Sequence, residues 1–267
     1  MFERFRDSLV NPEKILYYRK DSIFRVLFVM LFYATLMSLF MIVDTTTFDG
    51  LNIPTKSEIQ DTLYEENIDC QITSYNLVCT EEQSEMLFTY FGLIDFYIVS
   101  DETLNISEVS KEDAYIVLHE DTIYASTYGI VYSVPISTIS EFEGLDLNEL
   151  EANPELVSEP LITGIENYLL TNKTFLASVL IGSSILINFI IVSILSLLTG
   201  VFIRARYKVI PYRETFRFGV YVSSSTFIVL TLMNMMGSSF IFILFIVIFN
   251  SRQMGRLNMA INKAMKK

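Results

Sequence analysis

The sequence predicts an α-helical membrane protein of four spans, with a mixed α/β extracytoplasmic domain inserted between spans 1 and 2. Three observations predict it. Apolar residues make up 51% of the chain and mean hydropathy is +0.41, above the range of an ordinary soluble domain. Those residues gather into four segments. The acids are segregated as well: 26 Asp/Glu and two lysines, Lys56 and Lys111, lie between Asp44 and Asn172, whereas the rest of the chain holds 17 Lys/Arg and five acids. Each edge of the acidic block meets a long apolar run, the partition left when a bilayer separates translocated acids from retained bases. With 267 residues there is room for one membrane region and one soluble domain of roughly 100–130 residues. The overall pI of about 4.6 averages two opposite halves and points to no partner.

Taken in order, residues 1–22 form a cytoplasmic amphipathic segment, with Phe2, Phe5 and Leu9 on one face of a short helix ended near Asn11-Pro12. Span 1 covers 23–43, enough apolar residues to cross ~30 Å of hydrocarbon. Twenty-two residues precede it and no small-x-small cleavage pattern appears before Asp44, so an uncleaved anchor is expected rather than a secretion signal. Span 2, 174–203, contains no charge, and span 3 covers 218–235. Residues 237–251 form a fourth span that is short and tilted, or else re-entrant, after a tight link at Asn234–Ser239. Three spans are the alternative count.

Lys and Arg orient the whole. They crowd into residues 1–25, into the loop 204–217 with Arg204, Arg206, Lys208, Arg213 and Arg217, and into the tail 252–267. Four spans put all three segments on one side. Both termini are therefore expected to be cytoplasmic, with 44–172 outside.

In the outer domain, Thr55 and Glu58 fit a reciprocal capping box that starts a helix with Ile59 and Leu63 on one face. Leu93–Val99 alternates as a strand, with Ile94, Phe96 and Ile98 together. Ala114–Leu118, Thr122–Ser126 and Ile130–Ile136 read as further strands, the first two joined by a turn at Glu120-Asp121. After Ser137 the chain becomes helical and acidic. Pro160 is placed just inside a helix that carries Leu161, Ile162, Ile165 and Leu169 toward span 2.

Cys70 and Cys79 flank a hairpin. With Ser74 and Tyr75 as its turn they oppose each other at a non-hydrogen-bonded pair, where side chains approach most closely. A disulfide is the expectation, with two free buried thiols as the alternative. No Gly-rich phosphate loop, HExxH or GxSxG is present, and His119 lies on a strand away from the cysteines. No metal or cofactor is expected. Asp44–Gly50 lacks the alternating ligands of a calcium loop. Acid pairs such as Glu65-Glu66 and Glu81-Glu82 read as solvated surface. Asn105-Ile-Ser107 and Asn172-Lys-Thr174 match the glycosylation sequon.

Inside the spans the polar residues are few: Asn188, Ser193, Ser196, Thr199 and Gly200 in span 2, Ser223–Thr226 and Asn234 in span 3. No Asp, Glu, His, Lys or Arg occupies the middle of a span, which disfavours ion-coupled transport. Small and hydroxylated residues favour close helix packing, within the chain or with a membrane-protein partner or second copy. In the tail, Met254, Leu257, Ile261 and Met265 form a stripe opposite Arg256, Lys263 and Lys266. Cationic amphipathic ends suit an anionic inner leaflet, and nothing suits nucleic acid.

The run Phe5–Ile15, followed by Tyr18-Arg19 and the first span, resembles the start of an uncharacterised family of Firmicutes membrane proteins, best known by the maltodextrin-utilisation label YvdJ. The order of one span, an outer domain and three spans is similar, as is the loop Tyr207–Arg217. The resemblance implies this architecture and a bacterial plasma membrane. A link to sugar uptake is an inference from neighbourhood. The expected function is a non-enzymatic membrane accessory or scaffold whose outer domain binds an envelope component or a transporter partner. The alternative is an extracytoplasmic ligand sensor coupled to the basic loop.

Overall fold

The chain divides into two units, residues 1–46 with 180–267 and residues 47–179. The computed structural model describes residues 2–66, 68–79, 84–90, 94–100, 115–127, 130–149, 154–236 and 240–265.

The first unit is helical. Helix α1 (Phe2–Val10) leads into a 3-10 segment, Pro12–Lys20, and then into α2 (Ile23–Met37), whose first turn is capped by Ser22 Oγ accepting from the Arg25 amide. α3 (Leu39–Thr47) continues α2 after a bend of 48° at Ser38. Further along the chain come α6 (Lys173–Arg206), α7 (Tyr212–Val222), α8 (Ser224–Met236) and α9 (Phe240–Met265). Among the described residues α6 alone is long and apolar enough to cross a membrane. The bent pairs α2/α3 and α7/α8, the latter turning by 41°, raise the number to three if each is one span. The core includes Val26, Met30, Tyr33, Val192, Phe218, Phe227, Leu257 and Ile261.

Two expectations change here. The segments 237–251 and 252–267 are joined in one helix, α9, and the link residues 237–239 lie outside the described residues. The apolar stretch of α9, Phe240 to Phe249, covers about 15 Å, half the hydrocarbon thickness. The amphipathic ends also face protein. Phe5 packs edge-on to Phe32 at 5.6 Å and beside Tyr33, while Leu257 and Ile261 are fully buried. An apolar stripe on a terminal helix is satisfied as well by neighbouring helices as by lipid, and periodicity alone does not tell the two apart.

The second unit is mixed α/β. α4 (Ile53–Glu66) buries Ile59 and Leu63, but Thr55 and Glu58 do not cap it. Asn52 Oδ1 accepts from the Thr55 amide at 2.9 Å, so the helix starts earlier and Pro54 falls in its first turn, where no donor is needed. β1 (Cys70–Thr73) and β2 (Asn76–Cys79) form the hairpin, with Ser74 and Tyr75 both at positive φ (52° and 62°) as a two-residue turn requires. Cys70 and Cys79 are paired in register and joined by a disulfide, their Cα atoms 4.0 Å apart.

Five strands make the main sheet, in the order β3 (Ser84–Tyr90), β4 (Ile94–Val99), β5 (Tyr115–His119), β6 (Thr122–Thr127), β7 (Ile130–Pro135). β4 and β5 are parallel and the other pairs antiparallel. β5 lies at the centre with every residue buried, and Glu120 (φ 46°) turns the chain from it into β6. The hairpin joins this unit by backbone bonds: the Leu77 amide donates to the Glu120 carbonyl (2.8 Å) and the Ile72 amide to the Leu145 carbonyl (2.7 Å). After β7 come three short 3-10 turns within Ile136–Glu149.

α5 (Pro154–Thr171) starts six residues before the expected position. Pro154, not Pro160, is the first helical residue; Pro160 sits inside the helix, where buried Val157 and Leu161 continue one apolar face across it. Asn172 is buried and its Nδ2 donates to the Tyr168 carbonyl, which withdraws that sequon from the surface. The sequon at Asn105, and Lys111, Ala114, Glu81 and Glu82, lie outside the described residues.

Candidate functional site

A helix that bends without proline frees backbone carbonyls, and in apolar surroundings each needs a donor. At the α2/α3 bend the donors are Ser38 itself and an asparagine of another helix, with a second asparagine supporting the serine. Asn188 of α6 donates through Nδ2 to Ser38 Oγ at 2.9 Å, and Ser38 Oγ donates in turn to the Ala34 carbonyl at 3.0 Å. Asn234 of α8 donates to the Met37 carbonyl at 3.1 Å. The two asparagines that stand out in the spans thus meet at one bend. The α7/α8 bend at Ser223 repeats the arrangement: Ser223 Oγ lies 3.1 Å from Thr199 Oγ1, again on α6.

Between these points α6 and α7 touch backbone to backbone. A Cβ on Gly219 would collide with the Ser196 carbonyl oxygen, and one on Gly200 would stand 3.1 Å from the Thr215 carbonyl oxygen. Ser196 is completely buried there. Ser193 is half-buried, its hydroxyl donating to the Phe189 carbonyl of its own helix at 2.7 Å. Small residues serve here to bring two helix axes close.

The charged part of the unit was not singled out in the sequence. Asp7 and Asp21 are two of the five acids outside the acidic block, and both are buried. Asp21 accepts from Arg4 Nε (2.8 Å) and Nη2 (3.1 Å), from Arg25 Nη1 (3.0 Å) and from the Tyr221 hydroxyl (2.6 Å). Burial opposes ionisation of Asp21, but the hydrogen bonds from Arg4, Tyr221 and Arg25 outweigh it and hold its pKa below the usual carboxylate range. Asp7 accepts from the Tyr18 hydroxyl at 2.7 Å, with Lys14 and Arg6 beside it. That hydrogen bond, against a smaller effect of burial, lowers the Asp7 pKa. Burial and the same bond push Tyr18 up to about 12. An acid inside a segment otherwise rich in Arg and Lys is the signal that marks both positions.

The basic loop residues separate into two groups. Arg204, Arg206, Lys208 and Arg213 are exposed, Arg204 donating to the Ile210 carbonyl and Arg206 lying over the Tyr207 ring. Arg217 is buried; it donates to the Arg19 carbonyl and its Nε has no partner. Membrane-surface contact therefore suits the first four and not Arg217.

In the second unit, Lys56 pairs with Glu166 at 2.8 Å, and the same carboxylate accepts from the Leu51 amide. His119 is buried, edge-on to Tyr124 at 6.4 Å. Among the described residues no three His, Cys, Asp or Glu side chains gather where they could hold a metal ion. What this chain has built is a set of matched donors and acceptors that fix helices to one another.

Helices held together by matched buried charges, with an α/β unit between them in the sequence, define the class of the chain, and comparison with known families places it further. The chain belongs to the family described as "Protein of unknown function (DUF1189)", which matches residues 2–251. No curated protein and no solved structure matches it.

Proposed function

We propose that this chain is a four-span bacterial plasma-membrane protein and a non-enzymatic accessory or scaffold. Both termini are cytoplasmic and 44–172 is extracellular, and the outer domain binds an envelope component or a transporter partner. One observation carries the reading. Around α6, Leu186, Ile190, Ile194, Leu198, Val201 and Phe202 are exposed by 49–70%, whereas its polar Asn188, Ser196 and Thr199 turn inward to other helices. That is the inverse of a soluble helix and suits a lipid or partner-helix environment. The first half of α9 supplies the fourth membrane segment, a short or re-entrant one, and the resemblance to YvdJ supports the location. Mild crosslinking in intact cells, followed by detergent extraction, tests the scaffold role. A discrete adduct, with a second copy or a different membrane protein, is expected; a chain recovered as a lone monomer rejects it. Retention of the protein in membranes after alkaline carbonate washing tests the membrane assignment separately.

A cleft of about 300 Å³ between α4 and α5 supports a second reading, an outer ligand sensor coupled to the basic loop. Its lining is mixed, with Lys56, Gln60, Ser158, Glu159 and Thr163 beside Ile162, and Gln60 donates across it to Ser158 at 3.3 Å. A thermal-shift screen with oligosaccharides, peptides and cations decides: a stabilising ligand favours the sensor, and a blank screen removes it.

A further inference from the structure

α9 changes character at its middle, and the end of α1 lies against the change. Phe245 and Phe249 stack at 6.1 Å, and Arg252, Gln253 and Arg256 follow at spacings of three, four and seven residues from Phe249. Those spacings put apolar and basic residues on one helix face. There a cleft of about 300 Å³ opens, walled by Leu9, Val10 and Phe249 and carrying all three polar side chains.

The polar groups are incompletely used. Gln253 is 5% exposed; its Nε2 donates to the Leu9 carbonyl at 3.4 Å, and its Oε1 is buried with no partner. Arg256 gives one N–H to the Val10 carbonyl at 3.3 Å. Arg252 is exposed and has no hydrogen-bond or ion-pair partner among the described residues. Two guanidinium groups ask for an oxyanion, and a buried amide oxygen asks for a donor such as a hydroxyl. The apolar wall, with Val10 59% and Phe249 39% exposed, would be idle against a small free anion but suits an acyl chain.

We propose that this cleft binds the headgroup of an anionic phospholipid that carries a free hydroxyl. Arg252 and Arg256 hold the phosphodiester, Gln253 Oε1 accepts the headgroup hydroxyl, and the lipid chain follows Val10 and Phe249 along α9. The site rests on the membrane reading above.

The test uses the full chain in nanodiscs of phosphatidylcholine with small equal amounts of phosphatidylglycerol and phosphatidylmethanol, which has the same charge and no headgroup hydroxyl. Native mass spectrometry reads the lipids that stay bound. Wild type is expected to enrich phosphatidylglycerol over both others. Arg252→Gln with Arg256→Gln should lower that enrichment at least about tenfold, and Lys at both positions should restore most of it. Gln253→Leu should remove the preference over phosphatidylmethanol while leaving the preference over phosphatidylcholine. A well-folded double Gln variant that enriches phosphatidylglycerol as wild type does overturns the site. So does an equal loss from Arg204→Gln with Arg213→Gln, since that marks diffuse attraction. Displacement of the lipid by inorganic phosphate or glycerol 3-phosphate overturns the lipid assignment in favour of a soluble phosphate. Carbonate washing has by then already tested the membrane reading on its own.

Discussion

The Tyr221 hydroxyl donates to Asp21 Oδ2 at 2.6 Å, across 200 residues of sequence. The bond joins the segment before α2 to the last turn of α7, and the carboxylate that receives it also holds Arg4 and Arg25. One buried acid thus ties together α1, the start of α2 and α7.

Asp21→Asn keeps the shape and removes the charge that three donors share. Breaking a fully buried pair costs about 3–5 kcal/mol. Arg4 and Arg25 reach solvent, so the cost here is nearer 2 kcal/mol. Tyr221→Phe removes one hydrogen bond to a charged acceptor and should cost about 1.5 kcal/mol. Survival on size exclusion after heating in detergent measures both, with Asp21→Asn the more sensitive of the two.

The same network sets a pH window. The folded pKa values of Asp21 and Asp7 lie below their unfolded ones, so their contribution is complete above about pH 4 and disappears as pH falls through the folded values. Tyr18 is shifted the other way, to about 12; its contribution is complete below about pH 10 and is lost as pH rises toward 12. Thermal midpoints should be flat between those limits and fall on both sides. Asp7→Asn should flatten part of the acid limb, and Tyr18→Phe part of the alkaline one.

At the α6/α7 crossing, Gly219→Ala sets a methyl group against the Ser196 carbonyl, a backbone atom that cannot rotate away. The helices must separate, at a cost of about 1–3 kcal/mol. Gly182→Ala, where nothing lies within 4 Å, is the control and should be neutral or stabilising by up to about 1 kcal/mol. Equal melting of the two variants would contradict the close approach.

In the second unit, Cys70→Ser with Cys79→Ser opens a short covalent loop, a loss of about 2–3 kcal/mol by the chain-entropy account. The hairpin keeps its backbone bonds to Glu120 and Leu145, so the double variant should fold and melt earlier. Reduction of the wild type should reproduce its midpoint.

Much of the α/β unit is legible because its strands alternate: Ile94, Phe96 and Ile98 are buried on one side, as their spacing implies. β3 is not legible, and the reason is local. A bulge between Met86 and Phe88 breaks its register with β4, so Leu87 and Phe88 are adjacent and both buried, and the period of two is lost. Ser38 and Ser223 give no warning of a bend, since neither is proline or glycine and the side chains that meet each serine lie on other helices. Asn188 and Asn234 stand out in the sequence, but the atoms they meet are set by packing. Asp7 and Asp21 were hidden by the basic segment around them, whose charge suggested a membrane surface and not a buried pair.

Both bends take their polar partner from α6, one at Asn188 and one at Thr199. Eleven residues of straight helix separate those partners by about 16 Å. α6 therefore works as a graduated rod: it sets the height at which each neighbouring helix turns, and holds the two partners that distance apart. A single residue inserted between the two marks would rotate one against the other by about 100°. Either bend could then keep its partner, but not both. Length within α6 is in that sense a property the whole helical unit reads.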